Sequence, residues 1–275
     1  TKHVEHCLVP VYASIVDENI TIPLTFNFWV QRKIIGSGNY KSKIKITQNL
    51  ICYAKNKGLD FDFVLLDGAF PSPKMFSFLN KENISFIMRI AKSRCIKTLD
   101  GKRVQLKKCA ALKLMRNERE KTIQAELDGA IYFFTAQKRK GKKDEWETIF
   151  LVSNMNLPAK EQVRTFALRW PQEKVNRTTK QKLGSNQCQA LEAKKQKAHI
   201  MASFLAYAII NVAQNDKKKQ SVDEMINFIR RFHFDDLLEL IVKPTRAKSV
   251  FKPDPIAKKF QNTVQSFHKN AGLSN

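Results

Sequence analysis

The sequence predicts an α/β protein, and three features carry that expectation. Hydrophobic residues make up 43% of the 275 residues, enough for a substantial core. A short apolar run, FDFVLL at residues 61–66, stops at Asp67-Gly68-Ala69-Phe70. Strands of open α/β sheets end in this way at a ligand crevice. Residues 166–183, FALRWPQEKVNRTTKQKL, carry charged and aromatic side chains at helical intervals.

The elements follow in order. Residues 8–16 and 20–30 are rich in β-branched and aromatic residues around the polar Asp17-Glu18-Asn19, which reads as a β-hairpin. Its second strand alternates Thr21, Pro23 and Thr25 with Ile22, Leu24 and Phe26, so one face is buried, and Pro10 and Pro23 keep nearby positions from full central pairing. Gly36 and Gly38 mark a loop. Residues 43–57 set Ile44, Leu50, Ile51 and Ala54 among lysines, a helix that stops at Gly58. The strand at 61–66 presents Asp67 at its end, although Asp before Gly is also a common turn. Ser72 and Pro73 open a short helix reaching Leu79. Residues 85–90 form another strand.

From 92 to 154, short β stretches (103–106, 122–127, 130–136 and 147–152) alternate with lysine-rich turns, and 138–143 (KRKGKK) forms a basic hairpin tip. This reads as an antiparallel β subdomain inserted into the α/β core and separate from its central sheet. Trp146, beside Glu145 and Glu147, reads as half-buried strand packing ahead of a base contact. Residues 156–169 form a helix. Pro171 starts a new one, with Glu173 in its first turn and Leu183-Gly184 as its stop. Residues 191–214 are an apolar helix with Ile200, Phe204, Leu205, Ala208, Ile209 and Val212 as core positions. Residues 221–240 give a helical pair broken near His233-Phe234-Asp235, and Ser221 with Glu224 makes a capping box. Residues 244–275 are a basic arm or loosely docked tail. The expected division is 1–91 and 155–215 for the two parts of the core, 92–154 for the insertion, and 216–275 for a C-terminal helical region and tail.

Net charge is +24, from 49 Lys and Arg against 25 Asp and Glu. The excess is spread along the chain, which points to a polyanionic partner, nucleic acid above others. The five Cys are odd in number, and none stands at C-x-x-C spacing. Neither a disulfide framework nor a zinc site is indicated, and reduced thiols in a cytoplasm fit best. His3, His6 and Cys7 are only a weak pointer to a metal. No apolar run approaches the roughly 18 residues of a membrane span, and no signal peptide is visible. A chain opening on Thr1 reads as a fragment or a trimmed form.

Phe166, Arg169, Glu173 and Lys180 stand at steps of three, four and seven, which keep returning to one helix face, and Arg177 adds to it. Spacing alone favours a solvated face with helix-spaced ion pairs. The wider pattern, however, resembles bacterial insertion-sequence transposases of the DDE class with the Tyr-x2-Arg-x3-Glu-x6-Lys signature. Here the signature is Phe166, Arg169, Glu173 and Lys180, with Phe in place of Tyr. Trp170, Leu183-Gly184 and Leu66-Asp67-Gly68-Ala69-Phe70 also match that family, and the resemblance spans most of residues 1–215.

The resemblance implies an RNase H-like core in which three carboxylates hold two Mg2+ ions, with Mn2+ as a substitute. Asp67 would be the second catalytic, metal-holding carboxylate and Glu173 the third. Phe166, Arg169, Trp170, Arg177 and Lys180 would lie against DNA. The implied activity is hydrolysis at transposon ends followed by strand transfer into target DNA, by a homodimer on double-stranded DNA, in a bacterial cytoplasm at the nucleoid, with no membrane. The family's first aspartate precedes the opening hairpin. Residues 1–16 hold no Asp, and Asp17 sits on the wrong element. The expectation is therefore a core lacking its first strand, through truncation or gene decay, that does not itself cleave DNA. The rival readings are a catalytically inactive DNA-binding transposase remnant and a metal-dependent nuclease of another fold. The second wants Glu on a strand, which Pro171 and the helical spacing oppose.

Overall fold

The computed structural model describes residues 8–17, 20–141, 145–215 and 221–230. His3, His6, Cys7, Glu18, Asn19, Lys142, Lys143, the second helix of the C-terminal pair and the 244–275 tail lie outside them. The chain is mixed α/β. Strands β1 (Val9–Asp17) and β2 (Ile20–Trp29) pair in a two-stranded sheet of their own, and Asp17 ends β1 instead of sitting in the turn. One-turn α1 (Arg32–Ile35) and α2 (Lys43–Asn56) follow. Ser42 caps α2, its Oγ accepting from the Lys45 N–H at 3.2 Å, and Gly58 closes the helix at φ +68°. Strand β3 (Val64–Leu66) is shorter than expected; α3 (Pro73–Lys81) starts at the expected proline under a Ser72 cap.

Then come β4 (Phe86–Ile90), β5 (Cys95–Thr98), β6 (Arg103–Gln105), two 3₁₀ turns, β7 (Glu120–Leu127), β8 (Ala130–Lys140) and β9 (Trp146–Ser153). These strands are antiparallel to one another, as the alternation implied, but they do not form a separate sheet. They continue the sheet of β3 and β4 in the order β3-β4-β9-β8-β7-β5-β6. The join is the β4–β9 ladder, with Ile87 opposite Ser153 and Ile90 opposite Phe150, while β3 runs parallel to β4. The reason is burial. Phe86, Ile87 and Met88 are 0% exposed, so β4 needs partners along its edge as well as on both faces. Among the described strands β3 lies at one edge of this sheet.

Helices α4 (Ala159–Ala167), α5 (Trp170–Gln181), α6 (Ala193–Asn215) and α7 (Val222–Ile229) complete the described chain. The chain divides into two compact units. One holds the described residues of 1–13 and Thr25–Pro171, the other those of Ser14–Leu24 and from Gln172 onward.

In the first unit, Phe76, Phe86, Tyr132 and Phe134 centre a core between α3 and one face of the large sheet. On the opposite face α4 packs, with Phe166 against Ile87, Ile149 and Leu151. Gln162 of α4 is 0% exposed and bonded at both ends: its Oε1 accepts from the Thr135 hydroxyl at 2.8 Å and its Nε2 donates to the Leu157 carbonyl at 3.1 Å. Gln162→Leu would take the donor from the Leu157 carbonyl and leave the Thr135 hydroxyl with Thr122 alone at 2.7 Å, so it is expected to lower stability by about 1–3 kcal/mol in urea unfolding. A loss within about 0.5 kcal/mol would show that the two groups find water instead.

In the second unit, α6 does not bury the expected stripe. Phe204, Tyr207 and Ile210 are buried, whereas Leu205 is 56% and Val212 44% exposed. The apolar residues run nearly all round this helix, so hydrophobicity alone does not fix which face turns inward. Ile210 meets Met225 and Ile226 of α7, and Asn211 donates to the Thr21 carbonyl at 2.7 Å. The capping box forms as expected: Ser221 Oγ accepts from the Glu224 N–H at 3.3 Å and Glu224 Oε2 from the Ser221 N–H at 2.6 Å.

Candidate active site

In the first unit, Leu66 is buried and Asp67, one residue beyond β3, is exposed. The aspartate is held by its own turn. Its Oδ1 accepts from the Gly68 N–H at 2.7 Å, and its carbonyl accepts from the Phe70 N–H at 3.1 Å. A Cβ on Gly68 would come 3.7 Å from the Arg89 Cγ and carbonyl oxygen, so the stem of Arg89 lies along this turn. Arg89 is carried by β4, whose carboxyl end runs parallel to that of β3. The sequence reading did not single it out. The signal available was a lone guanidinium in the otherwise apolar SFIMRI.

The strand registers bring further charge to the same end of the sheet. Ile90 pairs with Phe150, so the carboxyl end of β4 points toward the end of the β8–β9 ladder where Arg139 faces Glu147 and Lys140 faces Trp146. The Arg139 guanidinium lies 2.6 Å from the Glu147 carboxylate. Its hydrogen bond and then its charge hold that carboxyl below the usual range, with smaller contributions from Arg89 and Lys92. Trp146, the first residue of β9, is 55% exposed, with Lys138 Nζ 5.5 Å from its ring centroid. Asp67 thus stands at a sheet end populated by cations, which suits a substrate carrying phosphate.

Phe166 and Arg169 also belong to this unit. The Phe166 ring is nine-tenths buried, packed on Ile87 with Leu65 alongside, and Arg169 Cζ lies 5.6 Å above it. The helix breaks at Leu168 and Arg169 and restarts at Trp170, one residue ahead of Pro171, leaving Trp170 57% exposed.

In the second unit, α5 buries Val175, Thr178 and Thr179, holds Glu173 half-buried, and exposes Arg177 and Lys180. Its end is anchored by side chains of α6 and by Arg230, one residue past α7. Ser203 Oγ donates to the Leu183 carbonyl at 3.0 Å, His199 Nε2 lies 2.8 Å from the Gly184 carbonyl, and Arg230 bonds the Lys182 carbonyl. Thr178 bonds Asp223 of α7 at 3.0 Å. These contacts take up carbonyls that a helix end otherwise leaves open and fix the axial position of Glu173, Arg177 and Lys180. None of the anchoring residues stood out in the sequence, because each lies far along the chain from the carbonyl it serves.

Asp67 and Glu173 offer carboxylate oxygens, the donor type that hard divalent cations such as Mg2+ and Mn2+ take. Among the described residues, no three of His, Cys, Asp or Glu gather closely enough to hold a metal ion. No helix among them is long and apolar enough to cross a membrane. A family model described as "Transposase DDE domain" matches residues 49–209, a span that includes both Asp67 and Glu173. No curated protein matches the chain.

Proposed function

The chain belongs to the transposase DDE domain family, and we propose that it serves the Mg2+-dependent cutting and joining of DNA at the ends of a bacterial insertion sequence. The observation that carries this reading is the pairing of two features. The matched span contains both carboxylates, and Asp67 emerges at the carboxyl end of a parallel strand pair, where α/β sheets place their ligands.

In this reading the core is RNase H-like, and Asp67 and Glu173 are the carboxylates that would hold divalent ions. Ions held there would supply activation of a water or 3′-hydroxyl and stabilisation of charge on the phosphoryl oxygens. The chain's own side chains do the rest. Arg169, stacked on Phe166, presents a planar fork that suits phosphate oxygens, and Lys180 adds a point charge from the same helix as Glu173. Arg177 and the exposed Trp170 extend that surface. The partner is double-stranded DNA, engaged as transposon end and as target by a homodimer at the nucleoid.

The test compares residues 1–275 alone with the same chain joined to an upstream strand bearing an aspartate. With two carboxylates against the three the chemistry uses, residues 1–275 alone are expected to bind end-containing duplex without nicking it. The joined form is expected to nick in Mg2+ and to stop in EDTA. Efficient nicking by residues 1–275 alone would show that another residue of this chain is the third ligand. A second reading, a transposase-derived protein that grips DNA without catalysis, draws on the lack of a three-ligand group among the described residues. It expects binding indifferent to Mg2+ and no nicking by either form.

Arg169→Ala and Lys180→Ala are each expected to reduce the magnitude of the log–log salt slope of DNA binding by about 0.9, the value of one phosphate contact. Fluorescence anisotropy across a salt series measures this. Unchanged slopes in both variants would return these residues to an ordinary solvated helix face.

A further inference from the structure

The segment joining β2 to α2 is the most one-sided charge distribution outside the site. Between residues 19 and 59 the chain contains no Asp or Glu. Within that run Arg32, Lys33, Lys41, Lys43 and Lys45 are exposed, and none takes part in an ion pair among the described residues. A charged run is ordinarily just a solvated surface. Here a fixed structure underlies it.

Trp29, the last residue of β2, packs in one apolar cluster with Val11, Ile46, Leu50 and Phe70. Lys43 Nζ sits 4.6 Å from the centroid of the Trp29 ring, and Trp29 Nε1 donates to the Tyr40 hydroxyl at 3.5 Å. The loop is thereby folded back on the strand end, with Lys41 and Lys43 on either side of the cap residue Ser42. Phe70, in the same cluster, closes the Asp67 turn. One apolar seat therefore carries both the basic segment and the proposed catalytic aspartate, all within the first unit.

We propose that residues 29–45 form a second duplex-DNA surface, which grips backbone phosphates beside the bond presented to Asp67. Five unopposed cations on a segment pinned by Trp29 suit a row of phosphates. They lack the broad apolar face that a lipid surface would require, since Ile34 is the segment's one large apolar residue exposed to solvent. The surface takes its ligand from the transposase reading but does not depend on the carboxylates.

The experiment measures binding of a labelled duplex to residues 1–275 across a salt series. The test variant is Lys41→Gln/Lys43→Gln/Lys45→Gln. The control, Lys107→Gln/Lys108→Gln/Lys113→Gln, removes the same charge from exposed lysines around the 3₁₀ turns. The test variant is expected to lose about 0.9 of slope for each phosphate contact removed, and the control less than one contact's worth. The triple Lys→Arg variant at 41, 43 and 45 is expected to keep the wild-type slope, which separates charge from misfolding. Equal losses in the test and control variants, or no loss in either, would overturn the surface. Binding to anionic vesicles that falls as steeply as DNA binding in the test variant would also overturn it. If the joined form fails to nick DNA while the test variant still flattens the slope, the catalytic reading falls and this surface stands.

Discussion

In the joined form, whose nicking is proposed above, Asp67→Asn and Glu173→Gln are each expected to lower the Mg2+-dependent rate by at least about a thousandfold. Each change keeps size and shape and removes one negative charge. A metal ion contributes several kcal/mol of transition-state charge stabilisation, and about 1.4 kcal/mol is worth a factor of ten. Losing a third of the ligand set therefore costs three orders of magnitude or more. Affinity for DNA is expected to hold or rise, because a carboxylate facing phosphate is repelled by it. Neither change should disturb the fold. Asp67 is exposed and its Gly68 contact can be kept by an amide oxygen, while Glu173 lies on a helix whose buried contacts come from Val175, Thr178 and Thr179. A rate within tenfold of wild type in either variant would remove that residue from the metal site. Parallel loss of DNA binding and of activity would point instead to a binding role.

The parts of the fold that were legible in the sequence are those fixed by local chemistry. Ser72 and the Ser221–Glu224 pair announce helix starts because a hydroxyl or carboxylate meets a nearby N–H only there. Gly58 and Gly184 announce helix ends because a positive φ suits glycine. Asp67 was legible for a similar reason, as a polar residue directly after a buried run. Arg169, Glu173 and Lys180 are proposed through family resemblance, since their spacing equally describes a solvated helix face.

What escaped the reading depends on partners distant in sequence. Whether β9 joins β4 is decided by a ladder between residues some sixty positions apart, Ile87 with Ser153 and Ile90 with Phe150, and nothing local encodes it. β5 is four residues, Cys-Ile-Lys-Thr, too short to show alternation. Arg89 and His199 matter through what they touch, the Asp67 turn and the end of α5, and neither contact has a trace in its own neighbourhood.

The placement of the two carboxylates can be tested without any catalysis. Asp67 belongs to one compact unit and Glu173 to the other, yet two-metal chemistry holds its ions about 3.5–4 Å apart. Side chains that share such ions must converge on one small volume. The double variant Asp67→Cys/Glu173→Cys is therefore expected to bind Cd2+, a soft ion that thiolates favour over oxygen donors, and to form an intramolecular link with a short bis-thiol reagent. Each single variant carries the same native cysteines, so a link peculiar to the double variant reports the new pair. Asp67 is exposed and Glu173 half-buried, so neither change opens a cavity in the core. Cd2+ affinity in the double variant equal to that of the singles, with no additional link, would separate the two residues and end the two-metal mechanism for this chain. The proposed DNA binding would survive that outcome, because it rests on an excess of 49 basic over 25 acidic residues and on lysines that need no metal to meet phosphate.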